Sequence, residues 1–461
     1  MRERLTAVET LTEMRAYFNS GVTRSYAFRK YQLLILRDAI RKYEKEIYEA
    51  LYQDLKKAPE EAYVTEIGIV QMEITTALKN LRKWTSPERT ATNLLNLPSS
   101  SKIIHDPLGV VLIIAPWNYP IQLLLLPLVG AIAGGNAVML KPSELAPASA
   151  SLVKKIINEI FLPQYISIIL GDGAELIGPM IRNFRFDHIL YTGSTAVGKI
   201  IYQLAAEQLI PVTLELGGKN PVVIEKDADL SLAAKKIATG KFLNAGQTCI
   251  APDYLLVHAS VKHAFLKILM ATITEFYGNN PAISSSYGRI INENRFDVLV
   301  EQLSEGSIVF GGQYDRENLY IAPTILEDVF IDDGVMKQEI FGPLLPVFSY
   351  ETMHEALELI AANPSPLAFY LFTKNSKTEK NWLEAFAFGG GCVNNTLWQF
   401  TNHHLPFGGI GNSGIGAYHG KHSFYRFTHA KPVMKTPGWF DPAIKYPPYK
   451  GKMKWFKRLI R

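Results

Sequence analysis

Cysteine is scarce in this chain, which has only Cys249 and Cys392 among its 461 residues. Two cysteines cannot form the disulfide framework of a small secreted protein. The charged start at Met1 also leads into no apolar segment of the kind found in signal peptides. We therefore expect both thiols to be free and place the protein in the reducing environment of a cytoplasm.

Metal-ligand patterns are missing as well. The ten histidines include no His-Glu-x-x-His or comparable spacing, and the adjacent His403 and His404 are expected to be structural. The chain also has no internal repeat and no low-complexity tract. The sequence therefore predicts a globular protein whose chemistry uses no metal ion.

Charge is absent from one long stretch, residues 107–140. About 20 apolar residues suffice to cross a bilayer, so a membrane span has to be considered. The apolar pieces of the stretch, however, have the lengths of a strand, a helix and a strand, which predicts a buried parallel sheet instead. The residues that interrupt the apolar run are Pro116, Asn118, Pro120, Gln122, Pro127 and Asn136.

An excess of basic residues is confined to the tail, residues 441–461, with seven Lys or Arg and one Asp, a net charge of +6. Since the whole chain carries +5, the remainder carries −1. Basic residues in the tail alternate with Trp455, Phe456, Leu459 and Ile460. This predicts an amphipathic helix that makes a weak peripheral membrane contact, packs on a partner subunit or stays in solvent. No wider basic face or recognised motif is present, so we expect no nucleic-acid partner.

Length and composition indicate more than one domain. A chain of 461 residues, 48% hydrophobic and 20% charged, is longer than one core usually grows. Within residues 25–85 the apolar positions Tyr31, Leu34, Ile35 and Ala39 form a stripe, which predicts two or three amphipathic helices. The polar segment 90–101 predicts an excursion or a connecting hairpin.

Short β-rich runs alternate with helical ones along the rest of the chain, the pattern of parallel α/β sheets. The runs fall into two series, so we expect two domains of this class. The predicted strands are 110–115, 137–141, 166–170 and 188–192 in the first series, and 221–224, 254–257, 307–310, 345–349 and 368–372 in the second.

Cys249 ends a run of small, loop-forming residues, Asn244-Ala-Gly-Gln-Thr-Cys249. A cysteine reacts as its thiolate, which exposure and an electropositive setting favour, so we expect both here. Gly246 is expected to let the backbone pass close to a ligand. The alternative is a small buried hydrophobic residue. Cys392, which follows three glycines, is expected to be a structural thiol.

Two further side chains suit a reaction at a carbonyl group. Glu215 follows an apolar run, where burial would raise the pKa of its carboxyl toward the working range of a general base. Asn118 lies in a rigid turn, Pro116-Trp-Asn-Tyr-Pro120, where its amide N–H could hold a developing oxyanion. A surface carboxylate and an ordinary turn amide are the alternatives.

A predicted strand, a glycine turn and a helix start follow one another around Gly193-Ser-Thr-Ala-Val-Gly198. Backbone N–H groups at such a helix start suit a phosphate or pyrophosphate, although the spacing is not the G-x-G-x-x-G dinucleotide fingerprint. Lys141 and Glu144 follow another predicted strand and could meet a phosphate or a ribose. A plain helix start and an exposed loop are the alternatives.

Taken in order, these motifs resemble those of the aldehyde dehydrogenase superfamily over nearly the whole chain. The segments 288–294 (Gly-Arg-Ile-Ile-Asn-Glu-Asn) and 446–449 (Tyr-Pro-Pro-Tyr) are similar to its class 3 branch, which includes fatty-aldehyde and benzaldehyde-type enzymes. The motifs are Asn118 in Pro-Trp-Asn-Tyr-Pro, Lys141-Pro-Ser-Glu144, Gly193-Ser-Thr-Ala-Val-Gly198, Glu215-Leu-Gly-Gly-Lys219, Gly246-Gln-Thr-Cys249, Glu339-Ile-Phe-Gly-Pro343 and Pro406-Phe-Gly-Gly409.

The resemblance implies an α/β aldehyde-dehydrogenase fold, with two parallel-sheet, Rossmann-like domains and a small β oligomerisation element that forms a homodimer. The implied division is an NAD(P)-binding domain of residues 1–88 and 108–214, a catalytic domain of residues 215–414, an oligomerisation element of residues 89–107 and 415–440, and the basic tail 441–461.

The resemblance also implies roles for the site residues. Cys249 is the nucleophile, Glu215 the general base, and Asn118 with the Cys249 backbone N–H forms the oxyanion hole. The cofactor is NAD, with NADP as an alternative that Glu144 disfavours and Lys141 tolerates. The implied cofactor contacts are Lys141, Glu144, Gly193, Ser194, Thr195, Ala196, Val197, Gly198, Gly217, Glu339 and Phe341.

The implied reaction oxidises a medium- or long-chain aliphatic or an aromatic aldehyde to the carboxylic acid. It passes through a thiohemiacetal and a thioester on Cys249, which water activated by Glu215 hydrolyses. Two alternatives stay open: acyl transfer to coenzyme A or phosphate, against which Glu215 argues, and a thiol esterase or binding relative. The expected substrate-pocket residues are Tyr119, Thr248, Trp398, Phe400, Phe407 and His419.

Overall fold

The structure is a computed structural model that describes residues 2–460. Two residues on which predictions depend lie outside the described residues. They are Met1, at the start of the segment predicted not to be a signal peptide, and Arg461, the last basic residue of the tail. The side chains of residues 2–6 and of Leu459, an apolar position of the predicted tail helix, lie outside them too.

Helices and strands alternate through most of the chain. The helices are α1 (Arg2–Asn19), α2 (Tyr26–Lys42), α3 (Glu44–Leu55), α4 (Pro59–Ala62), α5 (Gly68–Thr85), α6 (Gln122–Gly134), α7 (Pro147–Ile160), α8 (Gly173–Asn183), α9 (Thr195–Ala206), α10 (Leu230–Phe242), α11 (Lys262–Tyr277), α12 (Glu293–Gln302), α13 (Gly334–Lys337), α14 (Met353–Ala361), α15 (Ser376–Ala385), α16 (Lys421–Arg426) and α17 (Met453–Leu459).

The strands are short and mostly buried. They are β1 (Glu88–Thr90), β2 (Ser100–Pro107), β3 (Val110–Ile114), β4 (Ala137–Lys141), β5 (Ile166–Ile168), β6 (His188–Thr192), β7 (Val212–Glu215), β8 (Pro221–Ile224), β9 (Tyr254–His258), β10 (Ser307–Phe310), β11 (Tyr314–Asp315), β12 (Tyr320–Ile321), β13 (Thr324–Glu327), β14 (Leu344–Tyr350), β15 (Ala368–Phe372), β16 (Gly390–Val393), β17 (Gly414–Ile415) and β18 (Thr428–Lys435).

The first large sheet has the strand order β17-β7-β6-β3-β4-β5. Strands β7 to β5 in this order are parallel, and β17 adds an antiparallel edge. The charge-free stretch forms β3, α6 and β4, and every residue of these three elements is buried, as expected for a parallel sheet covered on both faces. Within residues 2–460, no helix combines the length and apolar character needed to span a membrane.

The second large sheet has the order β10-β13-β14-β9-β8-β15-β16 and is parallel except for β10 at its edge. The predicted α/β class with two parallel-strand sheets is confirmed, and within these two sheets antiparallel pairing is limited to the edge strands. The segment 307–310, predicted as a strand of the parallel series, is such an antiparallel edge. Its side chains are mostly exposed. Its β-rich composition predicts a strand but does not indicate the direction in which that strand pairs.

A small antiparallel sheet, β1-β2-β18, joins the segment before β3 to the end of the fold. Only part of the segment 415–440, predicted to belong to the oligomerisation element, lies in this small sheet. Strand β17 pairs with β7 in the first large sheet, and α16 packs against α6, so β18 alone brings the late segment to the small sheet.

The predicted apolar stripe of the second helix is wrong at Tyr31, while Ala39 is buried and Ile35 packs against the core. Tyr31 is 61% exposed, whereas the buried face of α2 contains Leu33, Leu36 and Ile40 together with Ala39. This face also buries polar residues, which hides it from a pattern based on apolar character. One of them, Arg29, donates to the carbonyl oxygens of Thr23 and Ala133 at 3.1 and 3.0 Å.

Candidate active site

The candidate site is a cavity of about 1090 Å³ at the carboxyl ends of the parallel strands β3, β4, β6 and β7. Ligands of open α/β sheets bind in this position because successive strands release their following loops at the same edge. The cavity runs from the start of α9 to the cysteine loop, and among its lining residues are Asn118, Lys141, Glu144, Gly193, Ser194, Thr195, Ala196, Val197, Glu215, Gly217, Cys249, Glu339 and Phe341.

The cysteine loop begins where α10 ends, with left-handed backbone at Asn244 and Ala245 (φ 52° for both). Gln247 fixes the loop, because its side chain donates to the carbonyl of Arg289 at 2.8 Å and accepts from the Ile291 N–H at 3.0 Å. The expected role of Gly246 is wrong. Its φ is 78°, and a Cβ there would overlap the carbonyl of a neighbouring backbone segment, so chain crossing rather than ligand approach requires this glycine.

The setting of Cys249 differs from the expected electropositive one. Its side chain is partly buried, and burial raises the pKa of the thiol. The carboxylates of Glu339 and Glu215 raise this pKa further. The thiol is therefore protonated at neutral pH in this environment, and reaction as a thiolate requires that its proton be removed.

Glu215 is the last residue of β7 and is 2% exposed. Burial raises the pKa of its carboxyl well above the usual value, an effect that the Arg426 cation only partly offsets. Both carboxylate oxygens are buried, and neither has a hydrogen-bond partner among the described residues. Once ionised, a carboxyl group of this kind is a stronger base than an exposed one, and its oxygens are free to contact a water molecule or a thiol.

Asn118 is 1% exposed, and its side-chain N–H donates to the carbonyl of Gln247 at 3.0 Å. The backbone carbonyl of Asn118 accepts from Asn244 Nδ2 at 2.9 Å and from Lys57 Nζ at 3.2 Å. Asn118 lines the same cavity as Cys249. The turn after β3 and the cysteine loop are therefore fixed to each other.

The start of α9 faces the other end of the cavity. Ser194 caps this helix, since its hydroxyl accepts from the Val197 N–H at 3.4 Å. Gly198 differs from the expected contact role: it lies outside the cavity lining, and its nearest neighbours are the side chains of Leu216 and Tyr191. Gly198 therefore allows α9 to pack closely on the sheet, while the preceding residues face the ligand space.

Lys141 and Glu144 form an ion pair at the end of β4, with 2.8 Å between Nζ and Oε2. Lys141 also donates to the carbonyl of Pro142 at 2.8 Å. Burial opposes ionisation of Glu144, but the hydrogen bond and charge of Lys141 together with backbone N–H donors outweigh it, so the pKa of this carboxyl is lowered. An ionised acceptor next to a lysine suits the hydroxyl groups of a ribose.

Glu339 stands beside Gly217, where a Cβ would overlap its carboxylate. Burial raises the pKa of the Glu339 carboxyl, and its Oε1 is buried without a hydrogen-bond partner among the described residues. Sequence reasoning missed the pair that holds this segment. Lys219 is bonded to Asp253 and donates to the carbonyl of Gln338 at 3.0 Å, and Asp253 accepts from the Ile340 N–H at 3.1 Å.

These residues fit a nicotinamide dinucleotide. A capped helix start faces the cavity as a site for the pyrophosphate. Buried oxygens of Glu339 and Thr192 without partners among the described residues remain available for ligand hydroxyl or amide groups. The residues that would hold such a cofactor are Lys141, Glu144, Ser194 to Val197, Gly217, Glu339 and Phe341.

The six expected substrate-pocket residues do not line this cavity. The hydroxyls of Tyr119 and Thr248 bond each other at 2.5 Å, and Trp398 is 58% exposed. Phe400 packs against Phe407 and His419, with 4.9 Å between ring centroids in each pair. Phe407 and His419 are buried. Aromatic character alone could not separate pocket walls from such packing contacts.

Comparisons with known proteins show which protein family this sequence matches. Residues 7–433 match the family model described as the aldehyde dehydrogenase family. The 4,4'-diaponeurosporen-aldehyde dehydrogenase of Staphylococcus aureus is 46% identical over 451 residues, covering 97% of this chain and 98% of that protein. The aldehyde dehydrogenase family 3 member H1 of Arabidopsis thaliana is 43% identical over 460 residues, covering 98% and 95%.

The fold is also similar to a solved structure, the substrate-bound state of Staphylococcus aureus AldH. The TM-score is 0.96 at 45% sequence identity, covering 98% of this chain and 99% of that one. The similarity therefore includes both large sheets and the loops around the cavity.

Proposed function

Since the chain belongs to the aldehyde dehydrogenase family, with class 3 relatives, and is an NAD(P)-dependent oxidoreductase that oxidises aldehydes, we propose that Cys249, Glu215 and Asn118 carry out its reaction. The observation that carries the proposal is the single cavity that all three residues line together with the start of α9. The alternatives for these residues are an inert buried thiol, a surface carboxylate and an ordinary turn amide. None of them explains why the three side chains line one cavity.

The first step is attack by the Cys249 sulfur on the aldehyde carbon. The thiol must lose its proton, and the buried Glu215 carboxylate is a suitable acceptor in the same cavity. The new C–S bond gives a thiohemiacetal whose oxygen bears the negative charge. The Asn118 side-chain N–H and the Cys249 backbone N–H stabilise this charge.

The oxidation requires an acceptor for the hydride that leaves the former aldehyde carbon, and a nicotinamide dinucleotide supplies it when bound. Gly217 and Glu339 border the cavity on the Cys249 side and orient the reacting groups. The product on Cys249 is a thioester. After Glu215 has released the thiol proton to solvent, it takes a proton from water, the hydroxide attacks the thioester carbon, and the carboxylic acid leaves as Glu215 returns a proton to the sulfur and the thiol re-forms.

For the substrate we propose a long, apolar aldehyde. The Staphylococcus aureus relative is named for an aldehyde of this kind, and its match covers 97% of this chain. For the cofactor we propose NAD as the preferred form. Ionised Glu144 disfavours the additional 2′-phosphate of NADP, whereas its partner Lys141 offers that phosphate a compensating charge.

We also propose a homodimer built through the small sheet. Strand β18 pairs with β2 along its whole length and lies at the edge of the sheet, where it offers backbone groups to another chain.

A cytoplasmic location is proposed because Cys249 must stay a free thiol. The basic tail is proposed to touch anionic membranes weakly, since Trp455 and Ile460 are mostly exposed next to its lysines.

The test is to mix the protein with NAD or NADP and a panel of aliphatic, polyene and aromatic aldehydes and to follow reduced-cofactor formation. Activity that rises with apolar chain length and disappears in Cys249→Ala supports the proposal. Acid formation only after addition of coenzyme A would favour the acylating alternative. Ester cleavage without reduction of the cofactor would favour the esterase.

A further inference from the structure

Lys57 and Glu66 form a completely buried ion pair that the proposed reaction does not use. Both side chains are 0% exposed, and 2.6 Å separates Lys57 Nζ from Glu66 Oε1. Burying two charges is costly unless further hydrogen bonds satisfy them, so the additional contacts of such a pair indicate what it holds in place. Here those contacts lead to the turn that contains Asn118.

Lys57 contacts this turn at two points. Its Nζ donates to the backbone carbonyl of Asn118 at 3.2 Å and stands 4.3 Å from the centroid of the Tyr119 ring. An ammonium over an aromatic ring and beside a carbonyl oxygen is attracted to both. Lys57 therefore fixes the backbone on which the Asn118 amide is carried.

Glu66 contacts the next residues of the same turn. Its Oε2 accepts from the backbone N–H groups of Ile121 and Gln122 at 2.9 and 3.2 Å, at the start of α6. A carboxylate at a helix start is stabilised by the exposed N–H groups and the helix dipole. Glu66 itself lies in a π-helical turn, Tyr63–Ile67, between α4 and α5.

The opposite side of the turn is bonded to the cysteine loop. Asn244 Nδ2 donates to the same Asn118 carbonyl at 2.9 Å, and the Tyr119 hydroxyl is bonded to Thr248. The backbone N–H of Asn244 in turn donates to Glu61, which precedes the π-helical turn, at 2.9 Å. The segment of residues 57–66 therefore holds both the oxyanion-binding turn and the loop of the nucleophile.

We infer that Lys57 and Glu66 are a positioning pair that places the Asn118 amide opposite the Cys249 sulfur. The inference rests on the proposed function of Asn118. Neither residue lines the cavity or contacts the reacting atoms, so the pair acts through the turn alone. A misplacement of about 1 Å at such a donor can lower the rate of reaction on the order of 100-fold.

The test variant is Lys57→Met/Glu66→Gln, which removes both charges together and leaves no unpaired buried ion. Methionine retains the length of the lysine stem, and glutamine retains an oxygen for the Ile121 N–H. We expect kcat for aldehyde oxidation to fall about 10-fold to 100-fold. KM for NAD and the rate at which iodoacetamide alkylates Cys249 should stay within about twofold of wild type, because neither depends on an oxyanion.

A double-mutant cycle with Asn118→Ala separates positioning from a merely structural role. If the pair acts through Asn118, adding Lys57→Met/Glu66→Gln to Asn118→Ala lowers kcat less than about twofold further. Losses that multiply would overturn the inference. Lys57→Arg, a milder change that keeps the charge, should show the same coupling with a smaller loss. Lys56→Met, at the exposed neighbouring lysine, is the matched control and should behave as wild type.

A crystal structure of Lys57→Met/Glu66→Gln decides the inference without reference to activity. The expected result is a displaced Asn118 with a broken bond from its Nδ2 to the Gln247 carbonyl. A turn that superposes on the wild-type position would overturn the inference. Wild-type protein without aldehyde-dependent reduction would refute the proposed function instead, and the displacement of the turn would still be measured.

Discussion

At the residue scale, the acid–base state of the nucleophile is what the structure adds to the sequence. Cys249, Glu215 and Asn118 could be identified from sequence because each follows a buried strand or a loop of small residues, and those patterns are local. The effect of Glu339 on the thiol could not be predicted, since Glu339 is 90 positions away along the chain and reaches Cys249 only through the fold. Lys57 could not be predicted for the same reason. Nothing in the sequence distinguishes this buried lysine from the exposed Lys56 next to it.

Replacement of Glu339 tests the electrostatic setting of the thiol. In Glu339→Gln we expect iodoacetamide to alkylate Cys249 about 3-fold to 10-fold faster at pH 8 than in wild type. Removing a negative charge lowers the pKa of the thiol and raises its thiolate fraction. The measurement is the alkylation rate from pH 7 to pH 10. Glu60→Gln, at an exposed position, is the control, and an unchanged or slower rate in Glu339→Gln would contradict the account.

At the element scale, the strands of both large sheets were predictable, because buried parallel strands are short apolar runs with clear ends. The β10 edge and the register of α2 were not, since exposed strands and buried polar side chains such as Arg29 break the pattern. The cofactor end of the site depends on such packing. Helix α9 can approach the sheet only because position 198 has no side chain.

Gly198→Ala tests this close approach. The new methyl group would meet Leu216 Cδ2 at 2.5 Å, so either the Leu216 side chain or α9 must shift, and a shift of α9 moves its first N–H groups away from the pyrophosphate position. We expect KM for NAD to rise about 10-fold while the alkylation rate of Cys249 stays unchanged. Steady-state kinetics with varied NAD provide the measurement, with Gln203→Ala on the exposed side of α9 as control. An unchanged KM would show that the helix start is not part of the cofactor site.

The packing of α5 against α16 makes stability depend on pH. Burial raises the pKa of Glu73 on α5 to about 7, although Gly420 and Ser423 donate hydrogen bonds to its carboxyl. Because the folded-state pKa exceeds the unfolded-state value of about 4.3, the folded state binds the proton more tightly. The stabilisation from this proton is full at low pH and is lost as pH rises from about 4.5 to about 7.

Glu73→Gln should therefore raise the Tm by about 3 °C at pH 8 and leave it nearly unchanged at pH 5. Glutamine can still accept from the Gly420 N–H, and it carries no charge that burial would penalise. Differential scanning fluorimetry at both pH values is the measurement. An equal change at both values would mean that the substitution acts through packing rather than through ionisation.

At the scale of the whole molecule, the basic tail lies beyond the family model, whose match ends at residue 433. Deletion of residues 441–461 should abolish binding to liposomes that contain anionic lipid, because it removes a segment with a net charge of +6. Sedimentation with liposomes measures this, and vesicles of neutral lipid are the control. Loss of the dimer in analytical ultracentrifugation, without any liposome binding by the full chain, would assign the tail to the partner subunit instead.

The central claim is that Cys249 carries the acyl group and Glu215 removes it, and a single-turnover experiment with Glu215→Gln tests it most directly. Glutamine cannot take a proton from water, so the thioester should persist after one oxidation. We predict a burst of about one reduced cofactor per active site, slower than in wild type because Glu215 also accepts the thiol proton. We predict that turnover after the burst is reduced on the order of 1000-fold and that the intact mass shows an acyl group on Cys249. Full turnover in Glu215→Gln, or an unmodified Cys249 after the burst, would contradict the account.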